Sequence, residues 1–166
     1  MIVPMGSLVK VLSPGRQTTR VLLPDGRTAE VQSSDIQRVG SKITISSIVR
    51  EVIGCPYIWG GKSTFGFDCS GLVQFIFDLL GIRLPRDSKD QATVGKRVSS
   101  LRSLMPLDLV FFGKGSNVDH VAIHWRDLAI LHCSGYVRFE SLRSGDKSFR
   151  KDLRAGFAVA RRILGQ

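Results

Sequence analysis

Residues 67–81 read FDCSGLVQFIFDLLG, and this stretch carries the strongest structural signal in the chain. From Leu72 to Leu80 the residues are apolar on nearly every side of a helix, with only two polar residues among them. This pattern predicts a helix that is buried over most of its surface. Gly81 is expected to end the helix, and Cys69 stands directly before its start.

Helical patterns surround this stretch and strand patterns follow it. Apolar residues at helical spacing predict a helix from Ile43 to Val52 that ends at Gly54, and a short third helix over Asp87–Val94. Helices first and an antiparallel sheet afterwards indicate an α+β domain. The predicted strands are Leu107–Phe112, Val118–Trp125, Leu128–Cys133, Tyr136–Leu142 and Phe157–Leu164.

Residues 1–40 have a different character. Short β-prone runs on both sides of the Asp-Gly turn at 24–27 predict a small antiparallel β unit, closed by one helical turn at 33–36. This order of elements resembles the later part of a bacterial SH3-like domain. The unit is short for a complete module, so its early strand and long first loop are expected to be reduced or missing. Gly40-Ser41 marks the predicted boundary with a second domain over residues 41–166.

The composition of the 166-residue chain is typical of a soluble globular protein, with 43% hydrophobic and 23% charged residues. No apolar run approaches the roughly 20 residues that cross a bilayer. Residues 1–12 lack the pattern of a signal peptide, which favours a cytoplasmic location, with the periplasm or cell envelope as the alternative. We expect a monomer.

The net charge of +10 has two interpretations. One is attraction to an anionic partner, such as nucleic acid, a membrane surface or a carboxylate-rich polymer, and the other is a solvated basic surface. No aromatic-and-basic motif of a known nucleic-acid module occurs, so nucleic acid is not expected as a partner.

Cys69 is the candidate nucleophile among three cysteines. A cysteine at a helix N-terminus lies at the positive end of the helix dipole, which predicts a lowered thiol pKa and a reactive thiolate. The backbone N–H groups there could also stabilise an oxyanion. Cys55 and Cys133 lie in or beside apolar elements without such a setting and are interpreted as structural.

The candidate base comes from three histidines. A hairpin turning at residues 125–127 would place His120 directly opposite His132, with Cβ atoms about 4.5–5.5 Å apart, so that one imidazole could orient the other. His124 would lie about 13 Å along the strand from His120, at the surface near the turn. The spacing of Cys69, His120 and His132 fits no common zinc pattern, and no metal is expected.

Five ordered motifs occur in the chain: YIWGG at 57–61, DCSGLV at 68–73, GIRLPRDS at 81–88 with Gln91, PLDLVFF at 106–112 and DHVAI at 119–123. They resemble those of the NlpC-type cell-wall cysteine peptidases, and the resemblance covers roughly residues 43–164. The resemblance implies a compact papain-like fold, which in such enzymes is often preceded by SH3-like modules. Three positions depart from the usual pattern. Leu107 replaces a commoner glycine, and Ala122 and His124 replace a commoner glycine and tyrosine after the histidine.

By this resemblance the chain is a hydrolase with Cys69 as nucleophile, His120 as general base and His132 as the residue that orients His120. It further implies a tyrosine near the oxyanion site and three residues that line the peptide-binding groove. No metal or cofactor is implied. The tyrosine is Tyr57, and the groove residues are Asp68, Ser70 and Ser88.

The resemblance implies hydrolysis of the bond between γ-D-glutamate and the diamino acid, meso-diaminopimelate, of peptidoglycan stem peptides or their soluble fragments, through a thioester. Two alternatives stay open: a peptidoglycan amidase that uses the same cysteine and histidine, and a non-catalytic wall-binding module. The sequence leaves open wall remodelling versus recycling, the third stem residue and the need for a free N-terminal L-alanine.

Overall fold

A computed structural model describes residues 3–37, 44–114 and 117–165, and the chain divides into two units, Met1–Ile43 and Thr44–Gln166. The boundary predicted at Gly40-Ser41 lies outside the described residues. Among the helices in the described ranges, the longest has 11 residues, and none is long and apolar enough to span a bilayer.

The first unit is a three-stranded antiparallel sheet in the order β1-β2-β3. The Asp-Gly turn joins β2 to β3 as predicted, with Gly26 in the left-handed region at φ 82°. A single turn of 3₁₀ helix at Ser33–Asp35 follows. The likeness of this unit to an SH3-like module stays a prediction. The strands are β1 (Lys10–Ser13), β2 (Thr18–Leu22) and β3 (Thr28–Gln32).

Three helices precede the main sheet of the second unit. Helix α1 (Ile45–Val52) begins where the hydroxyl of Thr44 accepts a hydrogen bond from the Ser47 N–H at 3.3 Å. Helix α2 (Cys69–Leu79) forms from the apolar run, and Gly81 ends it at φ 81°, as predicted. Helix α3 (Ser88–Gln91) is shorter than predicted, with four residues.

The main sheet has six strands in the order β10-β9-β8-β7-β11-β6, and all neighbouring strands are antiparallel. The sequence pattern did not predict the short strand β6 at one edge of the sheet. It also did not predict the hairpin before α2, whose two strands, β4 and β5, have two residues each. The α+β class is confirmed. The elements are β4 (Lys62–Ser63), β5 (Gly66–Phe67), β6 (Lys96–Val98), β7 (Leu109–Lys114), β8 (Asn117–Arg126), β9 (Ala129–Ser134), β10 (Tyr136–Ser141), α4 (Lys151–Ala155) and β11 (Phe157–Arg162).

Along each central strand, successive side chains point to opposite faces of the sheet. Helix α2, whose Leu72 and Phe77 are fully buried, contacts β8 and β9. Even-numbered sheet residues such as Ala122 and Ile130 join a second apolar cluster. His120 and His132 share this even-numbered register, so both imidazoles lie on the same face of the sheet.

Candidate active site

Cys69 is the first residue of α2, and its side chain is only 9% exposed. The loop before the helix approaches the first turn closely. A Cβ atom added at Gly71 would lie 2.1 Å from the carbonyl oxygen of Gly61, so only glycine fits there without a shift of the backbone. This contact fixes the start of the helix, and with it the position of the Cys69 thiol.

Asp68 caps the same helix from the position before Cys69. Its carboxylate accepts hydrogen bonds from the Gly71 N–H at 2.6 Å and the Gly60 N–H at 2.9 Å. The guanidinium of Arg86 donates two more, and one of its nitrogens also donates to the Ser70 hydroxyl at 2.9 Å. Burial alone would raise the pKa of Asp68, but the hydrogen bonds from Arg86 and Gly71 hold it below its usual value.

The four predicted substrate-binding residues differ in their surroundings. Asp68 and Ser70 are buried, and both side chains are engaged by Arg86, a residue that sequence reasoning quoted in a motif without a role. Tyr57 is half-buried, and burial raises the pKa of its phenol; its backbone pairs with Phe67, two residues before Cys69. Ser88 is half-buried at the start of α3.

The two histidines form a hydrogen-bonded pair. Nε2 of His120 lies 2.9 Å from Nδ1 of His132, and the two ring planes meet at 84°. His120 is half-buried, and His132 is only 1% exposed. Since Nε2 of His120 is engaged in this contact, Nδ1 is the ring nitrogen left for another partner.

The predicted strand register was wrong, although the predicted contact is present. Ile123 lies opposite Leu131, so Ala122 rather than His120 is aligned with His132. The turn falls at Asp127-Leu128, both in the left-handed region, and a bulge near Arg126 shifts the pairing. His120 and His132 are therefore diagonal neighbours on one face, a distance that two imidazole rings can bridge.

Sequence reasoning missed a carboxylate behind this pair. Nε2 of His132 lies 2.7 Å from Oε2 of Glu140. Glu140 also accepts hydrogen bonds from Arg150 and, at 2.9 Å, from Nε of Arg138. The available signal was strand alternation, because Arg138 pairs directly with His132 and Glu140 stands two residues further along the same face.

Burial favours the uncharged form of both the His120 imidazole and the Cys69 thiol. It lowers the pKa of His120 to about 4, with further lowering by the nearby charges of His132 and Arg150. Burial also raises the pKa of the Cys69 thiol, although the N–H of Val121, the residue after His120, acts on the sulfur in the opposite direction. The predicted lowering of the thiol pKa is therefore wrong, because loss of hydration outweighs the favourable N–H groups.

The side chains of Cys55, Cys133 and His124 each form a hydrogen bond with a backbone carbonyl group. Cys133 is fully buried, donates to the Phe67 carbonyl at 3.2 Å, and has a pKa raised to about 12 by burial. Cys55 donates to the Thr64 carbonyl at 3.3 Å. His124 was predicted at the surface, but it is 4% exposed and its Nδ1 lies 2.8 Å from the Met105 carbonyl. The described residues hold no cluster of three or more His, Cys, Asp or Glu side chains suited to a metal.

The comparison with known families agrees with this geometry. The sequence model of the NlpC/P60 family matches residues 54–153, which include the thiol, the histidine pair and Glu140. The chain belongs to the NlpC/P60 family. The NlpC/P60 match covers the helix α2 and most of the main sheet, and its fold is consistent with the papain-like architecture expected from the motifs.

Two curated relatives of this chain come from bacteria. A γ-D-glutamyl-L-lysine dipeptidyl-peptidase of Bacillus cereus is 38% identical over 134 residues, which are 74% of this chain and 40% of that protein. A probable endopeptidase of Haemophilus influenzae is 40% identical over 105 residues, 60% of this chain and 65% of that protein. The chain thus spans less than two thirds of either relative.

A solved structure extends the likeness to the N-terminal unit. The crystal structure of an NlpC/P60 family protein from Bacillus cereus superimposes with a TM-score of 0.82 at 32% identity. The match covers 95% of this chain and 54% of that chain.

Proposed function

We propose that this NlpC/P60 protein is a cysteine endopeptidase that hydrolyses the bond between γ-D-glutamate and the diamino acid of peptidoglycan stem peptides. The observation that carries the proposal is the pairing of His120 with His132 beside a helix that begins with a thiol. The name of the Bacillus cereus relative supports the γ-D-glutamyl specificity. We take meso-diaminopimelate as the diamino acid, with L-lysine as the alternative suggested by that name.

The reaction begins from an uncharged thiol and imidazole. His120, neutral at pH 7 because its pKa is lowered to about 4, accepts the Cys69 proton through Nδ1 while the sulfur attacks the γ-glutamyl carbonyl carbon. The resulting imidazolium then protonates the leaving amine of the diamino acid, and a thioester remains. His120 next removes a proton from the water that attacks the thioester. The tetrahedral intermediate then releases the γ-glutamyl carboxylic acid, and the imidazolium returns the proton to the departing sulfur. His132 holds the ring of His120 throughout.

The oxyanion of each tetrahedral intermediate requires hydrogen-bond donors in place before the reaction. The backbone N–H groups of Cys69 and Ser70, at the start of α2, have no partner within the helix and lie next to the attacking sulfur, whereas that of Gly71 donates to Asp68. The hydroxyl of Tyr57, whose backbone pairs with Phe67 two residues before Cys69, is the proposed second donor. The substrate's carboxylates also give the net charge of +10 a use in attracting the substrate.

The test compares Cys69→Ala with Cys55→Ala on purified L-Ala-γ-D-Glu-meso-diaminopimelate and L-Ala-γ-D-Glu-L-Lys, with products identified by mass spectrometry. Cleavage after γ-D-glutamate by the wild type and by Cys55→Ala, but not by Cys69→Ala, supports the proposal. Full activity of Cys69→Ala would refute the assignment of the nucleophile.

The same experiment separates the alternatives. An amidase would release the intact stem peptide from muramyl-peptide fragments, so fragments that retain the sugar are included as substrates. A wall-binding module would cleave none of these substrates and would instead retain sacculi in a sedimentation assay. Either result would contradict the proposed activity.

A further inference from the structure

We infer that Glu140 is a positioning residue that fixes the protons of the two histidines, so that His120 presents a lone pair on Nδ1. The consequence for catalysis rests on the function proposed above. The proton arrangement itself does not, because it can be measured in the absence of any substrate.

Glu140 carries a negative charge at neutral pH. Burial raises the pKa of this carboxyl, but hydrogen bonds from Arg150 and His132 bring it below its usual value, so the group is ionised at neutral pH. An ionised carboxylate has lone pairs and no proton, and it only accepts hydrogen bonds. At the 2.7 Å contact, Nε2 of His132 must therefore carry the hydrogen.

The position of the single proton of His132 determines whether its other ring nitrogen donates or accepts a hydrogen bond. Burial lowers the pKa of His132, so the ring is neutral and holds a single N–H. With that proton on Nε2, Nδ1 of His132 is an acceptor. At the 2.9 Å contact Nε2 of His120 must then be the donor, which leaves the lone pair of a neutral His120 on Nδ1.

This arrangement needs no rotation of either ring during the reaction. When Nδ1 of His120 gains the thiol proton, its Nε2–H continues to donate to His132, and His132 continues to donate to Glu140. The negative charge of Glu140 also favours the imidazolium that forms. Without the carboxylate, the proton of His132 could move to Nδ1, and the two histidines would then compete as donors or adopt new rotamers.

Two arginines hold the carboxylate in place, and each is itself held. Nε of Arg138 donates to Oε1 of Glu140 at 2.9 Å, and its guanidinium lies 4.7 Å from the centre of the Tyr136 ring. Arg150 donates to Oε2 of Glu140 and pairs through its other nitrogens with Asp152, at 2.9 and 2.6 Å. The charged groups around the histidine pair are therefore Glu140, Arg138, Arg150 and, further out, Asp152.

The direct test is the ¹⁵N NMR spectrum of the imidazoles in the full chain, without substrate. At pH 7 we expect Nε2-protonated tautomers for both His120 and His132 in the wild type. In Glu140→Gln the amide has no charge and can also donate, so an Nδ1-protonated tautomer of His132 should appear. A wild-type His132 that carries its proton on Nδ1 would overturn the inference, and this result requires no variant to fold.

Kinetics on the γ-D-glutamyl substrate supply the second readout. Glu140→Gln should lower kcat by about 10- to 100-fold with little change in KM, because substrate contacts are untouched. It should also move the acid limb of the kcat/KM profile to lower pH, since removal of the carboxylate lowers the basicity of His120. A merely structural role would not shift that limb, and a profile that keeps its position would contradict the inference.

Asp152→Asn is the matched control. It removes a carboxylate from the same arginine, and among the described contacts Asp152 touches neither imidazole. We expect unchanged tautomers and kcat within about twofold of the wild type. Equal effects of Asp152→Asn and Glu140→Gln would overturn the specific role of Glu140. If the wild type cleaves neither peptide, the proposed function fails while the NMR result still decides the proton arrangement.

Discussion

Arg86 donates two hydrogen bonds to the carboxylate of Asp68, the residue that caps α2 and directly precedes Cys69. The side chain of Asp68 is 10% exposed, whereas that of Arg86 is 36% exposed. The contact therefore joins a largely buried carboxylate to a cation at the surface. It secures the first turn of the helix that carries the thiol.

Loss of this contact should destabilise the protein. We expect Arg86→Ala to lower the free energy of unfolding by about 1–3 kcal/mol, because the buried Asp68 then keeps its charge without its main partner. Urea denaturation provides the measurement. Lys62→Ala is the control, since Lys62 of β4 pairs with Asp78 of α2, both side chains are more than a third exposed, and the pair should be worth less than about 1 kcal/mol. Similar decreases in the free energy of unfolding for both variants would show that the Arg86–Asp68 contact contributes no more than an exposed ion pair.

Leu107 has a left-handed backbone, with φ at 70°, at the position where the family resemblance placed a commoner glycine. This conformation costs an ordinary residue about 1–2 kcal/mol but not glycine. We therefore expect Leu107→Gly to be more stable than Leu107→Ala by about 1 kcal/mol, the reverse of the usual order. Leu104, at φ −65°, is a matched site where alanine should be the more stable replacement. Thermal unfolding of the glycine and alanine variants at both positions gives their relative stabilities. If the alanine variant is the more stable at both positions, the backbone of Leu107 is not strained.

The buried His120 should make stability depend on pH. Its folded pKa of about 4 lies below its unfolded value of about 6.5, so the unfolded chain binds the proton first as the pH falls. The stabilisation is complete above about pH 6.5 and is lost between there and about pH 4, an effect on the order of 3 kcal/mol. We expect His120→Gln to reduce the slope of unfolding free energy against pH in this window. An unchanged slope would show that a group other than His120 takes up the proton on unfolding.

The raised pKa of the Cys69 thiol predicts the pH dependence of its alkylation. In the Cys55→Ser/Cys133→Ser variant, where Cys69 is the remaining cysteine, the rate of reaction with iodoacetamide should rise through and beyond about pH 8.5, the range of an ordinary thiol. A preformed thiolate–imidazolium pair would instead give a rate that is already constant between pH 5 and 8. The plateau would show that the resting pair is ionic and would contradict the mechanism proposed here.

Local sequence patterns predicted much of this protein. The apolar run at 72–80 predicted α2, and the alternation of apolar residues predicted β7 to β11, because a helix period and a strand period can be read from neighbours along the chain. The same reasoning placed Cys69 at a helix start, and the ordered motifs pointed to the NlpC/P60 family, which the family match confirmed. The roles of Cys69, His120 and His132 stay predictions.

Other properties depended on contacts between distant residues. The register of β8 and β9 was set by two left-handed residues and a bulge, the burial of His124 by the carbonyl of Met105, and the orientation of His132 by Glu140 with its two arginines. The ionisation of the thiol also depended on packing, because the loss of water around a sulfur is the sum of all neighbours and no local pattern records it. Thus the sequence by itself determined which elements form and where the thiol lies along the chain. Tertiary structure alone decided which side chains meet and which of them are charged, because both depend on groups brought together from far apart in the chain.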